Sequence, residues 1–332
     1  MVNIWKLKLY NIWIYGIITI NMRLIDSVPS EPAVKVPRII TAGGEARSGK
    51  GTSMADLKDF LESLGRSVDL IDQGIKFRAM AAIAIRLGEP LDSPATLDDF
   101  LGTARAQEAT LDLLEEVSFL DEDELKSLLY IPEVSKAAGK VGGVPSSHDV
   151  AVRLLRSQVE QAAEAEADVV IIDGRSIEKY ARKFTEEGFA RFVMGWYFKC
   201  DPAIAARRSL GLFGDIDDLS GEDKLRLLNE AFNISDRNRS DMLRKVDPLH
   251  EPVRAFHLDF TEYASAEREF TPYKISHDIM YKSNGGVAVV DTSYTESVDE
   301  MTEPVTELSS HALRWHGALS HEDVGIGTIE CA

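Results

Sequence analysis

The sequence contains little cysteine, and its cysteines and histidines form no recognisable cluster. Its two cysteines, Cys200 and Cys331, form no CxxC motif. This pattern argues against a disulfide framework and against a zinc site, and a reducing compartment fits it best. We therefore expect a cytoplasmic protein whose stability comes from a hydrophobic core, for which 44% hydrophobic residues are sufficient.

The sequence also lacks an excess of positive charge. Thirty-seven lysines and arginines are outnumbered by 55 aspartates and glutamates, which gives a formal net charge of −18. Nucleic acids and anionic membranes require a broad basic face, so neither is an expected partner. A small anionic ligand remains compatible with this charge, because a cleft needs only a local cluster of arginines.

The N-terminus has no hydrophobic run long enough to span a bilayer. Its longest apolar run, Ile12 to Ile20, is about half of the roughly 20 residues that a transmembrane helix needs. Lys6 and Lys8 resemble the start of a signal peptide, but no convincing cleavage site follows. We interpret residues 1–36 as an extension and linker without a stable membrane span. The alternatives are translation from an upstream start, with Met22 as the natural one, and a membrane-surface anchor.

Five short apolar runs separated by helical patterns dominate the remainder. The runs are RIITAGG (38–44), SVDLID (67–72), DVVIIDG (168–174), RFVMGWYFKC (191–200) and GVAVVDTS (286–293). Between the first two, Met54, Leu57 and Leu61 recur at helical spacing. Strands that alternate with helices predict an α/β fold, with a parallel five-stranded sheet and helices on both faces.

A glycine-rich segment follows the first of these strands. Gly44, Gly49 and Lys50 fit the pattern G-x-x-x-x-G-K, and Gly51 and Thr52 follow them. Glycines let backbone N–H groups turn toward phosphate oxygens, and the positive end of the next helix adds to that field. Lys50 is expected to reach the β- and γ-phosphates, and Thr52 is the nearest hydroxyl for Mg²⁺. The segment predicts a P-loop that binds a nucleoside triphosphate.

Four further segments, together with the GKGT ending of this loop, resemble the bacterial cytidylate kinases in the order of that family. They are LIDQGIKFRAMAAIA, IPEVSKAAGKVGGVP, VVIIDGRS and DRNRSDMLRKVDPL. The resemblance covers about residues 37–308 and implies a P-loop NTPase-type fold. It also implies an acceptor-binding insertion at about 89–150 and a mobile lid at about 209–247, which leaves 309–332 as a tail.

The resemblance implies transfer of the γ-phosphoryl group of ATP to CMP or dCMP, with Mg²⁺, in a protein that we expect to be a monomer. Arginine suits this chemistry because it is always charged and forks onto phosphate. The implied catalytic residues are Lys50, Arg175, Arg237 and Arg244. The implied ATP-binding residues are Gly44, Gly49, Lys50, Gly51, Thr52 and Arg239. The implied acceptor-binding residues are Asp72, Arg78, Asp173, Arg175, Arg237 and Asp241.

The positions that read cytosine in the family differ in this sequence. Gly139 stands at the serine position, His148 or Ala151 at the arginine position, and Ser176 at the aspartate position. Gln73 replaces the serine of the acceptor loop. Because each hydrogen bond to a base edge contributes to selectivity, these changes predict relaxed or redirected base preference.

Other departures fall on the phosphate side. Arg47 replaces a glycine of the cradle, and Ser240 replaces a lid arginine for which Arg239 is a substitute. Arg207 and Arg208 correspond to a basic cluster near ATP, but adjacent arginines are also common on ordinary helices. Two alternatives therefore stay open, a P-loop kinase for a different small acceptor and a non-catalytic nucleotide-binding regulator.

Overall fold

The strands pair in parallel throughout the sheet of the computed structural model, which describes residues 36–175, 177–253, 255–260, 275–279, 286–295 and 297–319. The strands are β1 (Arg38–Gly44), β2 (Val68–Asp72), β3 (Val169–Asp173), β4 (Arg191–Lys199), β5 (Phe256–Leu258) and β6 (Val287–Asp291). Their order across the sheet is β2-β3-β1-β4-β6-β5. The predicted parallel α/β architecture is confirmed.

The predicted number of strands was wrong by one. The five predicted runs correspond to β1, β2, β3, β4 and β6. The additional strand, β5, pairs with β6 at the edge of the sheet and contains only three residues. A segment this short shows neither a sustained apolar run nor an alternating pattern, which are the signals that a sequence offers for a strand.

Helices connect the strands and cover both faces of the sheet. The first seven are α1 (Lys50–Ser63), α2 (Gln73–Arg86), α3 (Pro94–Leu101), α4 (Ala104–Val117), α5 (Glu122–Leu129), α6 (Pro132–Val141) and α7 (Pro145–Glu164). The others are α8 (Glu178–Glu186), α9 (Pro202–Leu210), α10 (Gly221–Met242) and α11 (Val298–Trp315). Short 3₁₀ turns lie at Ile216–Asp218 and Thr292–Tyr294.

The core lies on the two faces of the central strands. Because successive strand residues point to opposite faces, Ile40 packs with Leu57 of α1 and Leu308 of α11, whereas Ile39 packs with Val159 of α7. All of these side chains are fully buried. Cover on both faces accounts for the uniformly apolar strands that made the sheet visible in the sequence.

The helices α3 to α6 form a smaller layer with α2 and the start of α7, in the range expected for the acceptor-binding insertion. Their buried side chains, among them Leu97, Leu113, Leu129 and Val141, form a second hydrophobic cluster. Ser93 caps α3, and Asp121 forms a capping box with Glu124 at α5. Local caps of this kind stabilise helices that are individually short.

The C-terminal helix α11 passes through residue 308, where the sequence analysis ended the kinase-like region. The proposed extension is described only at Val36, and the tail only as far as Leu319; the remaining parts of both lie outside the described residues. Across the described ranges, no helix combines the length and apolar character needed to cross a membrane.

Candidate functional site

The predicted phosphate-handling residues meet at the carboxyl edge of the sheet. β1 leads there into the glycine-rich loop, β2 ends at Asp72, and β3 ends at Asp173. Asp72 and Asp173 are direct partners in the β2–β3 register. In open parallel sheets the carboxyl edge is the usual place for ligands, because loops and helix N-termini converge on it.

Two glycines of the cradle occupy positions that other residues would fill badly. Gly44 has a φ of 126°, and a Cβ atom there would lie 2.2 Å from the Phe198 carbonyl oxygen. Gly49 has a φ of 87°, and its Cβ would lie 2.2 Å from the Met301 sulfur. Both positions have a positive φ and no room for a side chain, and glycine meets both conditions. The glycines of the motif are therefore required by the path of the backbone.

Two backbone N–H groups of the cradle are bonded within the protein. The Glu45 N–H donates to the Phe198 carbonyl at 2.9 Å, and the Ala46 N–H donates to Asn238 Oδ1 at 2.8 Å. Beyond these, α1 starts at Lys50 after Gly49, and no side chain of the described residues caps it. An uncapped helix N-terminus beside a glycine loop suits a phosphate. Asn238 was missed by the sequence analysis because its contact spans 192 residues.

Arg47 stands in this loop with a φ of 59°. A non-glycine residue in the left-handed region costs about 1–2 kcal/mol, which gives a physical reason for the glycine of the family at this position. The side chain is exposed, and its charge acts on Arg237. The substitution therefore adds a cation to the cradle at some cost in backbone strain.

Lys50 is directed toward the end of β3. Its Nζ lies 3.6 Å from Asp173 Oδ1. Burial raises the pKa of Asp173, and the charge of Lys50 opposes that rise. The lysine and the aspartate thus form a weakly paired contact that a phosphate oxygen can enter.

The hydroxyl groups after Lys50 differ in access. Thr52 is exposed, whereas Ser53 is buried and its Oγ donates to the Gly49 carbonyl at 3.3 Å. Thr52 is therefore the hydroxyl of this pair that is free to face a ligand. Among the residues that the structure describes, no three His, Cys, Asp or Glu side chains lie close enough to hold a metal ion.

Asp241 joins two of the predicted arginines. Its carboxylate pairs with Arg175 Nη1 and lies 2.9 Å from Arg244 Nη2. Burial, together with the nearby charges of Arg237 and Arg244, lowers the pKa of Arg175 to about 9. Arg244 also donates to the Gly142 carbonyl at 3.1 Å. One carboxylate thus serves two guanidinium groups and leaves positive charge uncompensated.

Arg237 completes the cationic cluster from α10. Burial lowers the pKa of Arg237 to about 10, and the charges of Arg78, Arg47 and Arg244 contribute to this decrease. Its side chain nevertheless has exposed surface. A side chain that is surrounded by protein atoms and still accessible to solvent lines a cleft. Arg78, Arg175 and Arg237, which come from three different elements, therefore lie close enough to influence one another.

Asp72 and Arg78 belong to a contact that includes Tyr130. Asp72 caps α2 by accepting from the Gly74 N–H at 2.6 Å, and the Tyr130 hydroxyl donates to its other oxygen at 3.0 Å. The Arg78 guanidinium carbon lies 4.1 Å from the centre of the Tyr130 ring, a cation–π distance. Burial and the adjacent Asp72 raise the pKa of Tyr130. The tyrosine was not predicted, because nothing in its local sequence distinguishes it.

Of the positions predicted to read the base, Gly139 lies on α6, and His148 and Ala151 lie on α7. Gly139 lines a cavity of about 430 Å³, together with Arg239 and Ser240. His148 Nε2 donates to the Gly142 carbonyl at 2.8 Å, whereas Ala151 is buried in the core of the insertion. Of these two alternatives, His148 is the one with a polar contact. Ser176 lies outside the described residues.

The end of the lid segment is held by Asp247. Lys179 lies 2.6 Å from one of its oxygens, and His148 Nδ1 lies 3.6 Å from the other. Burial would raise the pKa of Asp247, but the hydrogen bonds from His148 and Lys179 outweigh it and lower the pKa. This contact joins the segment after α10 to both α7 and α8.

The adjacent pair Arg207 and Arg208 has local contacts. Arg208 donates to the Thr292 carbonyl at 2.6 Å and to the Thr295 carbonyl at 2.8 Å. Arg207 donates to the Gly214 carbonyl. Arg208 is therefore used to fix the turn after β6.

The chain is similar to curated proteins named cytidylate kinase. It is 25% identical to that of Acinetobacter baumannii over 231 residues, which is 68% of this chain and 90% of the relative. The relative from Chloroherpeton thalassium is 25% identical over 244 residues, 73% of this chain and 94% of its own length. The relative from Symbiobacterium thermophilum is 29% identical over 226 residues, with coverage of 67% and 88%. No protein-family model matches the chain. These similarities indicate a distant relationship to the cytidylate kinases.

Proposed function

We propose that this protein transfers the γ-phosphoryl group of ATP to a nucleoside monophosphate, with CMP or dCMP as the first candidate acceptor. The observation that carries the proposal is the convergence of cationic side chains from separate elements on one P-loop-like cradle. Arg175 follows β3, Arg78 lies on α2, Arg237 lies on α10, and Lys50 starts α1.

The clustering of cations in the cleft supports two polyanionic ligands. The charges of Arg47, Arg78 and Arg244 act on Arg237, and Arg237 acts on Arg175; Lys50 lies beside Asp173. Asp72, Asp241 and Asp247 offset part of this charge. Cations that repel one another in a chain with a net charge of −18 have a local purpose, which phosphate groups would satisfy.

Phosphoryl transfer asks the protein mainly to position two reactants and to stabilise charge. In this proposal the uncapped N–H groups at the start of α1 and Lys50 hold the donor phosphates. Arg78 and Arg175 hold the acceptor phosphate, while Arg237 and Arg244 reach the transferred group. A bound Mg²⁺ would neutralise charge between the donor phosphates, and the exposed Thr52 hydroxyl is the protein group available to it.

The lid proposed at 209–247 would close over the reactants and exclude water, which otherwise competes as the acceptor. The bond from Ala46 N–H to Asn238 supports this role, because it joins the cradle directly to α10. Asp241 adds a second connection, to the end of β3 through Arg175.

The direct test is a coupled assay of ADP release with Mg-ATP and each of CMP, dCMP, UMP, AMP and GMP. We expect acceptor-dependent ADP release that is highest with pyrimidine monophosphates. Release that stays at the acceptor-free background with all five would reject the proposal. The control reaction omits the acceptor, which separates transfer from ATP hydrolysis.

A kinase for a different small acceptor is the second candidate, and the replaced base-reading positions favour it. Gly139 contributes no side chain to the cavity that it lines, so the serine contact expected from the family is lost. A thermal-shift panel that compares CMP with other phosphorylated or hydroxylated metabolites would distinguish the two. Selective stabilisation by CMP would remove this candidate.

A further inference from the structure

The first turns of α2 hold two buried hydrogen-bond donors that are not used within the described chain. Gln73 is 6% exposed and Lys76 is 2% exposed. Neither Gln73 Nε2 nor Lys76 Nζ has a hydrogen-bond partner among the described residues. Buried polar groups are nearly always paired, and an unpaired one costs as much as a lost hydrogen bond or more. Two such groups one helical turn apart therefore require an explanation.

Both donors lie at the edge of the sheet that carries the proposed site. Gln73 packs against the end of β3, since a Cβ atom on Gly174 would lie 3.0 Å from Gln73 Cβ. Arg175, next in the chain, belongs to the cationic cluster. Gln73 is thus positioned beside the residues proposed to hold the acceptor.

Lys76 shares this location through the geometry of the helix. It lies four residues after Asp72, the residue that caps α2, and residues at this spacing are neighbours on one helix face. Side chains in a helix lean toward its N-terminus, which directs the ammonium back toward Asp72 and Gln73. Burial lowers the pKa of Lys76 to about 8, and the charge of Asp72 opposes this change.

We propose that Gln73 and Lys76 together bind the carbonyl oxygen at C4 of a pyrimidine base on the acceptor, so that the protein prefers UMP, which has this oxygen, to CMP, which has an amine there. This inference rests on the proposed function and changes its first candidate acceptor from CMP to UMP. The two residues act as specificity determinants and take no part in the transfer itself.

Hydrogen-bond chemistry decides between the two bases. A carbonyl oxygen has two lone pairs, so it can accept one hydrogen bond from each donor. The exocyclic amine that cytosine carries at the equivalent position is a donor and would oppose both. The amide of Gln73 can rotate to offer its oxygen, but the ammonium of Lys76 has no acceptor to offer. Lys76 is therefore the residue that discriminates.

Access to the donors requires a local rearrangement. In the ligand-free chain both side chains are covered, so the base must displace part of the insertion, or the lysine must rotate about its side-chain bonds. Relief of an unpaired buried cation favours either movement. Arg78, on the same helix, also has a buried Nε without a hydrogen-bond partner in the described structure, which is consistent with a ligand-dependent arrangement of this region.

The test compares UMP with CMP, which differ at C4, where uracil has an oxygen and cytosine an amine, and at the adjacent N3, which donates in uracil and accepts in cytosine. Dissociation constants are measured by calorimetry with a non-hydrolysable ATP analogue, for the full chain and for Lys76→Met, which keeps the length of the side chain without its charge. Lys126→Met, on the exposed surface of α5, is the matched control. Lys76→Gln replaces the methionine variant if the latter does not fold.

We expect the wild type and Lys126→Met to bind UMP at least about 10-fold more tightly than CMP, as one charge-assisted hydrogen bond allows. We expect Lys76→Met to lose most of that preference, chiefly through weaker UMP binding. Equal or tighter CMP binding by the wild type overturns the inference. A UMP preference that survives in Lys76→Met also overturns it, and so does the absence of binding with either nucleotide.

ADP release from Mg-ATP, measured with the same protein preparations in separate reactions, separates this inference from the proposed function. Turnover without a UMP preference leaves the phosphotransferase proposal intact and removes the base inference. Selective UMP binding without ADP release leaves the base inference intact and removes the phosphotransferase.

Discussion

The phosphate side of the cleft and the first turns of α2 hold their charges in opposite ways. On the phosphate side buried atoms of Asp173, Arg175 and Asp241 also lack hydrogen bonds, but the cations there lie beside carboxylates, Lys50 beside Asp173 and Arg175 beside Asp241. On α2 the donors of Gln73 and Lys76 are buried without partners in the described chain. The first region can exchange a carboxylate for a phosphate. The second keeps two buried donors without hydrogen bonds, which is unfavourable.

This difference indicates how the two parts of a substrate would be recognised. A phosphate that enters the cationic cluster replaces or joins existing carboxylates. Its binding free energy is therefore the difference between the pairing of the cations with phosphate and their pairing with those carboxylates. A carbonyl oxygen reaching α2 would remove the cost of unpaired donors. Affinity for the phosphates would thus come from the sum of many charges, and selectivity for the base from a few buried groups.

The largest expected effect concerns Lys50, on the phosphate side. Lys50→Ala should lower the turnover of the proposed reaction by about 10²–10³-fold, the usual consequence of removing one donor that stabilises developing charge. Steady-state ADP release at saturating substrates measures this effect.

Lys58→Ala provides the matched control, because Lys58 lies on the same helix and pairs with Glu62 at the surface. It should retain wild-type turnover. If Lys50→Ala and Lys58→Ala are equally active, Lys50 has no role in the transfer and the comparison between the two regions fails.

The next largest effect concerns the stability cost of Lys76. Its pKa is about 8 in the folded chain, against an ordinary value of 10.5. Between these values the unfolded chain binds more protons, so stability rises as the pH increases from about 8 to about 10.5. The full cost is present below pH 8, and its upper value is about 3 kcal/mol.

Denaturant unfolding of the wild type and Lys76→Met across this pH range measures the cost. Lys76→Met lacks the titrating group. The free energy of unfolding of the wild type should therefore rise, relative to that of Lys76→Met, by up to about 3 kcal/mol between pH 8 and pH 10.5. A constant difference between the two proteins would show that Lys76 is not a buried cation, and it would remove the contrast with the phosphate side.

The sequence signals on the phosphate side are local. The glycines of the cradle lie within a few residues of Lys50, and the strands beside it are uninterrupted apolar runs. The burial of Lys76 was not predicted, since a lysine in an amphipathic pattern usually faces solvent. The contact of Arg175 with Asp241 joins residues far apart in the chain, so no local pattern contains it.

The helix α11 was not predicted for a different reason, and the predicted boundary at residue 308 falls inside it. It buries several hydroxyl side chains against the sheet and α1, where Ser309 accepts from Trp196 Nε1 at 3.0 Å and Thr306 donates to Asp56 at 3.1 Å. Buried hydroxyl groups interrupt the apolar periodicity by which a helix is recognised. The three-residue strand β5 was missed because it is too short to have a pattern.

A smaller effect is expected for Arg175. Arg175→Ala should weaken the use of the acceptor by about 10–100-fold, as the loss of a charge-assisted hydrogen bond predicts. The KM for ATP should change little, because Asp241 keeps its contact with Arg244. Separate KM measurements for the two substrates test this expectation, and Arg175→Lys should recover part of the loss. Equal losses for both substrates would mean that Arg175 does not belong to the acceptor side.

The smallest expected effect tests whether the cradle trades stability for charge. Arg47→Gly should relieve the left-handed strain at a φ of 59° and stabilise the fold by about 0.5–1 kcal/mol, after the greater freedom of glycine in the unfolded chain is allowed for. The same change removes a cation that acts on Arg237, so ATP binding should weaken by a few-fold, more at low salt than at high salt. Thermal unfolding and ATP titrations at two ionic strengths measure the two effects.

Arg47→Ala is the matched control, because it removes the charge and keeps the left-handed backbone. Arg66→Gly is not a suitable control, because the φ of Arg66 is not positive. If Arg47→Ala and Arg47→Gly are equally stable, the backbone at this position carries no strain. The arginine would then add positive charge to the phosphate side without lowering the stability of the fold.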